Sequence, residues 1–237
     1  MATSAGRTSA ERHFPVEAAY DLAAPYYDDW KWQKFWRQAE HPLVYDPFRR
    51  FRHSFCTGVN TVDLGCGTGW YLEKLQGLCK ERVGIDLSSG MLAVARHRIP
   101  HVTLIKTDAL ALPYKDERFD AVLCTRMLAH LSSIQSLVLE VRRVLRSGGL
   151  LVLSNVDAEH EYGHTRLPVG STHILADTYK HSREFVHHHL EAAGFVADAT
   201  NLIFVDGSSQ VLTRRRLPSG LPTPVGWVSS WRKALSA

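Results

Sequence analysis

Short apolar runs alternate with stretches of helical periodicity along most of the chain. Val59–Leu64, Arg82–Leu87, His101–Ile105, Phe119–Cys124 and Leu150–Leu153 are runs of four to six residues with the pattern of buried strands. Between them, Trp70–Leu78 and Ile134–Leu145 carry helical spacing, and Ser88-Ser89 can cap a helix bearing Met91, Leu92, Val94 and Ala95. Ser182–Ala193 reads as a further helix, stopped by Gly194. Two later strands are expected near Thr200–Val205 and Val225–Lys233, separated by a polar loop containing Arg214, Arg215 and Arg216. Strict alternation of strand and helix predicts a mostly parallel sheet with helices on both faces.

Ahead of this core the pattern changes. Residues 1–12 are expected to be a flexible tail, and residues 13–56 an aromatic-rich, helical lid. Trp32, Phe35 and Trp36 share one helical face, and Phe48 and Phe51 repeat the i, i+3 spacing. Pro25, Pro42 and Pro47 predict breaks, hence two or three short helices. Residues 57–237 form the main domain, within which 157–180 is a long connection expected to wall a pocket.

Composition narrows the class. With 45% apolar and 22% charged residues the chain is globular, and no run approaches the ~18 apolar residues of a membrane span. A net charge of +4 is too mild to demand nucleic acid. The four cysteines, at 56, 66, 79 and 124, show no C-x-x-C pair, and residues 1–12 lack the apolar stretch of a secretory signal. A reducing cytosol is the expected setting. His187-His188-His189 fans around a helix with no further ligand near it in sequence, so a surface position is expected and no metal is assigned.

The chemistry begins at Gly65-Cys66-Gly67-Thr68-Gly69, between an apolar strand and a helix. Glycines there let backbone approach a ligand closely, and the helix N-terminus offers free N–H groups. Asp86, 21 residues beyond Gly65, ends the next strand, where a carboxylate can accept both hydroxyls of a ribose. Position 70 is Trp, so the dinucleotide spacing is not met. Asp63, just before the loop, would repel a pyrophosphate but suits a cationic ligand such as a sulfonium amino acid.

These residues resemble the class I S-adenosylmethionine-dependent methyltransferases, specifically the ubiquinone/menaquinone-biosynthesis type. Val62–Gly69, Val83–Leu92, Thr107–Val122 and Glu140–Ser154 carry the likeness in register. The resemblance implies a Rossmann-like, doubly wound, seven-stranded sheet whose last strand is antiparallel, with S-adenosylmethionine as cofactor. It further implies that Gly65 and Gly67 line the methionine part and Asp86 holds the ribose. Leu87 and Met91 would flank adenine, Asp108 and Ala109 would meet its amino group, and Thr125 would complete the wall. Tyr20-Asp21 and Tyr27-Asp28 resemble the family's N-terminal segment that folds over the cofactor.

For the methyl acceptor, Arg126 at the end of the fourth strand is positioned to anchor an acid or polarise an oxygen, and His130 is a candidate base. Arg126 pairing with an acid and His130 capping a helix is the competing reading. His13, Tyr26 and Tyr27 are further base candidates. A small molecule is the expected substrate. An RNA substrate, contacted by Arg49, Arg50, Arg52 and Arg214–Arg216, is the alternative, and a non-catalytic cofactor-binding scaffold the third. Neither a membrane partner nor a particular oligomeric state is implied.

Overall fold

A computed structural model of the chain describes residues 12–56, 58–160, 163–205, 211–214 and 223–235. The expected tail thus lies almost wholly outside the described residues, as do Arg215 and Arg216.

In chain order the elements are β1 (His13–Phe14), α1 (Val16–Tyr27), α2 (Lys31–Arg52), β2 (Val59–Leu64), α3 (Trp70–Lys74), β3 (Cys79–Asp86), α4 (Ser89–Arg98), β4 (Thr103–Lys106), β5 (Phe119–Thr125), α5 (Gln135–Val144) and β6 (Leu145–Val156). There follow β7 (Thr165–Val169), β8 (Thr172–Ala176), α6 (Arg183–Ala192), β9 (Phe195–Val205), β10 (Val211–Arg214) and β11 (Gly226–Lys233).

The main sheet runs β10-β9-β11-β6-β5-β2-β3-β4. β4, β3, β2, β5 and β6 pair in parallel, while β11 lies antiparallel between β6 and β9. The seven expected strands are therefore present, the last one antiparallel, and β10 adds an eighth at the β9 edge. β2 and β5 read as unbroken apolar runs because helices cover both faces; Val62, Leu64 and Val122 are fully buried. Ser88 caps its helix as expected, accepting a hydrogen bond from the Met91 N–H (3.0 Å), and Ser182 does the same for α6 with the Phe185 N–H (3.1 Å). The chain changes direction across the sheet between β2 and β5, and at their carboxyl ends such sheets open a crevice.

Two local expectations are corrected. α1 runs through Pro25, and α2 is one continuous helix through Pro42 and Pro47. A helix-interior proline costs about 3 kcal/mol, but Trp36, Val44, Phe48 and Phe51 bury side chains at about 2 kcal/mol each on the sheet, which outweighs two such losses. Secondly, the 157–180 connection is not merely loop. It contains the hairpin β7–β8, whose turn holds Gly170 at φ +60°, and β8 pairs in parallel with β1. The resulting three-stranded sheet supports α1 through Ala19, Ala23, Leu167, Ile174 and Ala176.

His187 is also corrected. It is half-buried, edge-on to Trp227 (5.7 Å between ring centres) and Trp231 (4.9 Å), and burial lowers its pKa.

Gly226, at the start of β11, allows α2 to sit close: a Cβ there would meet the carbonyl oxygen of Asn155 at 2.7 Å and the Trp36 ring at 2.8 Å. Gly226→Ala should therefore destabilise the fold by about 1–3 kcal/mol in urea unfolding; an unchanged midpoint would contradict this packing.

Candidate active site

The first cavity, about 140 Å³, opens at the carboxyl ends of β2, β3 and β5. Gly65 and Gly67 form its floor, and Gly67, at φ +53°, would meet nothing within 4 Å if it bore a Cβ. Asp86 sits at the rim. Its Oδ2 accepts the Gly67 N–H at 2.8 Å and its Oδ1 the Ser88 N–H at 2.9 Å. Burial raises the Asp86 pKa, an effect those N–H donors oppose. Leu87, Asp108, Ala109 and Thr125 complete the strand-end wall, and Tyr20 and Tyr27 cover it from α1.

Two sequence candidates do not reach this wall. Met91 is fully buried within α4 and lines neither cavity. Asp63 lies under the glycine loop with 1% exposure, and its Oδ1 has no hydrogen-bond partner. Burial first and the neighbouring Asp86 second push its pKa well up, while Arg126 opposes the shift. The floor beneath the glycines therefore holds two carboxylates short of positive charge.

A second cavity, about 280 Å³, adjoins the first. Trp30, Trp32 and Trp36 supply its aromatic wall, and His160, His164, Thr165 and Arg166 come from the segment leading into the hairpin. Tyr20, Tyr27, Arg126 and His130 line both cavities, so they mark the junction. His13 is not among them. It is drawn off to the Asp177 carboxylate at 3.2 Å, because β1 pairs with β8. Tyr26 is exposed and lines neither cavity.

Arg126 adopts a left-handed backbone, φ +55°, uncommon for a non-glycine residue. Its N–H donates to the Ser154 carbonyl at 2.8 Å. Its Nη1 donates to Gln33 Oε1 at 2.6 Å, and its Nε lies 3.2 Å from Glu40 Oε2. Burial opposes its charge, and Glu40 more than restores it. Nη2 is left without a protein partner among the described residues. Arg126 is thus both paired with an acid and part of the cavity wall. Gln33 and Glu40, on α2, are the residues that sequence reading missed; an acid within an aromatic helix, 86 positions before its arginine, gave no signal.

His130 donates no cap. Its Nδ1 is 2.8 Å from the Asp177 carbonyl oxygen and its Nε2 2.8 Å from the Tyr20 hydroxyl. Burial lowers its pKa, although Asp177 opposes this. Tyr27 has its pKa raised by burial, with Arg126 opposing.

α1 is fastened over the crevice at both ends. Asp21 Oδ1 accepts from Ser88 Oγ (2.6 Å) and the Gly90 N–H (2.8 Å). Asp28 accepts from Thr68 Oγ1 (2.7 Å) and pairs with Arg37 and Arg98. By contrast, the basic residues named for RNA are engaged locally: Arg49 and Arg50 each pair with Asp46 at 2.7 Å, and Arg52 binds the Phe55 carbonyl. Among the described residues no group of three His, Cys, Asp or Glu is placed to hold a metal, and no helix is long and apolar enough to cross a membrane.

The sequence family described as a methyltransferase domain matches residues 62–153. Over 145 residues the chain is 32% identical to a demethylmenaquinone methyltransferase of Renibacterium salmoninarum, covering 59% of this chain and 57% of that protein. It is 33% identical over 141 residues to Probable tRNA methyltransferase 9B of Homo sapiens, covering 58% of this chain and 28% of that protein. The chain thus matches 57% of the length of the first of these relatives and 28% of the second. An S-adenosylmethionine-dependent methyltransferase of Thermotoga maritima shares the fold with a TM-score of 0.62 at 20% identity, over 91% of this chain and 99% of that one.

Two outcomes are expected. Asp28→Ala should cost about 2 kcal/mol in urea unfolding and speed amide exchange in α1, since two arginines lose their shared carboxylate. His130 is held below the ordinary histidine value when folded, so the unfolded chain takes up that proton at higher pH. The stability it contributes is present above about pH 6.5 and is lost as pH falls from there towards the folded value. The urea midpoint should fall less between pH 7 and pH 5.5 in His130→Gln than in wild type; equal slopes would refute this assignment.

Proposed function

We propose that the chain is a class I S-adenosylmethionine-dependent methyltransferase, as its methyltransferase-domain match over residues 62–153 and its relatives support, and that it transfers a methyl group to a small molecule held in the aromatic cavity. The observation that carries the reading is the junction: a strand-end cavity and an aromatic cavity meet at Tyr20, Tyr27, Arg126 and His130.

The donor side fits the cofactor. The orphaned oxygen of Asp63 beneath the glycine loop suits a sulfonium, and a bound cation would oppose the upward shift that burial and Asp86 impose on that carboxyl. Asp86 keeps unused lone pairs after its two N–H bonds, which ribose hydroxyls can occupy. Leu87 and Ala109 offer apolar contact for adenine, with Asp108 at its edge. When bound, S-adenosylmethionine supplies an electrophilic methyl carbon already activated by its sulfonium.

What remains for the protein is to align the acceptor, exclude water and manage a proton. The tryptophans of α1–α2 and the hairpin enclose the acceptor, and α1 shuts water out of the junction. Arg126, fixed by Gln33 and Glu40, presents Nη2 to an oxygen on the acceptor. Tyr27, whose hydroxyl stays protonated, offers a donor where the two ligands meet.

The likeness to a tRNA methyltransferase keeps RNA as the second reading, against which stand the local pairings of Arg49, Arg50 and Arg52. Calorimetry with S-adenosylhomocysteine tests the first. Wild type should bind, and Asp86→Ala should weaken binding at least tenfold, about 1.4 kcal/mol, at unchanged fold by circular dichroism. No binding by wild type would sink the reading. Tight, steeply salt-dependent binding of tRNA would replace the small molecule with RNA.

A further inference from the structure

We propose that Tyr20 and His130 form a proton relay at the cavity junction, and that the acceptor presents an ionisable hydroxyl, a phenol or enol, rather than an ammonium group. This rests on the methyl-transfer reading above.

The hydrogen-bond directions follow from chemistry. The Asp177 carbonyl oxygen can only accept, so Nδ1 of His130 carries the hydrogen at 2.8 Å. The neutral ring then has its lone pair on Nε2, and the Tyr20 hydroxyl, 2.8 Å away, donates to it. Burial lowers the ring's pKa and favours the neutral form at rest, while the Asp177 carbonyl and carboxylate favour the imidazolium. Among the described residues, the charged group acting on the ring is the Asp177 carboxylate, which is turned to His13 of β1, and Arg126 lines the same cavity. Tyr20 and His130 line both cavities, so the relay ends where acceptor and donor meet.

The step balances. The acceptor's hydroxyl proton passes to Tyr20 Oη while the proton of Tyr20 passes to His130 Nε2, giving an imidazolium. The acceptor oxygen keeps the O–H electron pair and uses it to bond the methyl carbon. The pair of the broken carbon–sulfur bond stays on sulfur. Afterwards Nε2 returns its proton to Tyr20, which releases one to water. Tyr20 is the group that meets the acceptor, and His130 acts through it.

The cavity selects the charge type. Among the described residues its wall carries no carboxylate, whereas Arg126 and Arg166 are cationic. Glu40, behind Arg126, is fully buried and engaged with Arg126 and the Tyr71 hydroxyl. Among the described residues an ammonium would meet no carboxylate in that wall, while an oxyanion formed beside Nη2 of Arg126 would meet a guanidinium.

Nitrogen-15 NMR of the His130 ring in the ligand-free protein is the direct test. The hydrogen is expected on Nδ1 in wild type; a hydrogen on Nε2 overturns the relay, because Tyr20 would then have nowhere to send its proton. The second arm uses 4-nitrophenol, whose ionisation is visible by colour, added to protein saturated with S-adenosylhomocysteine. Bound probe at pH 6 should show about a threefold higher phenolate fraction than free probe, and the gain should vanish in Tyr20→Phe and His130→Gln. Bound probe of unchanged ionisation in wild type overturns the proposal. Failure of wild type to bind S-adenosylhomocysteine would instead overturn the methyl-transfer reading, leaving the ring's tautomer to be judged alone.

Discussion

The ion pair between Arg126 and Glu40 sets the terms for everything around the crevice. Glu40 is wholly buried, and a carboxylate in that position is tolerated only with a cation and donors beside it. The pair ties the middle of α2 to the end of β5, so the aromatic helix is placed against the sheet's working edge. It also accounts for the left-handed backbone at Arg126, where a strained conformation of order 1 kcal/mol persists because Gln33, Glu40 and the Ser154 carbonyl all fix it. Without it, the wall between the two cavities would have no fixed position.

From that anchor the two sides of the site differ in kind. The donor side is backbone and strand ends: glycine N–H groups, a carboxylate holding the loop in shape, and a second carboxylate in reserve beneath it. The aromatic cavity is side chains borrowed from α1, α2, His160 and residues 164–166. α1 serves both, being held to α4 through Asp21 and to the glycine loop through Asp28.

This difference also explains what could be read from sequence. Gly65, Gly67, Asp86 and Asp108 lie in short contiguous motifs at strand ends, and a strand end has one place to go in such a sheet. Met91 misled because an apolar helix residue looks alike whether it faces a ligand or the core. Pro42 and Pro47 misled because local propensity was outweighed by burial along α2. The hairpin was marked only by Gly170-Ser171 between two short β-rich runs, and its partner, His13-Phe14, lies more than 150 residues away. The role of His130 depended on a carbonyl at Asp177 and a hydroxyl at Tyr20, distances that no spacing rule encodes.

The hairpin β7–β8 is an insertion between β6 and α6 that the doubly wound sheet does not need for its own closure. Its strands pair with each other, β8 pairs with β1, and β7 reaches the aromatic cavity through Thr165 and Arg166. Substitutions there alter one ligand's surroundings while leaving the glycine loop, Asp86 and the strand register untouched. On the proposed reading, the part that holds the cofactor and the part that encloses the acceptor are built from different segments, so either can be altered without disturbing the other.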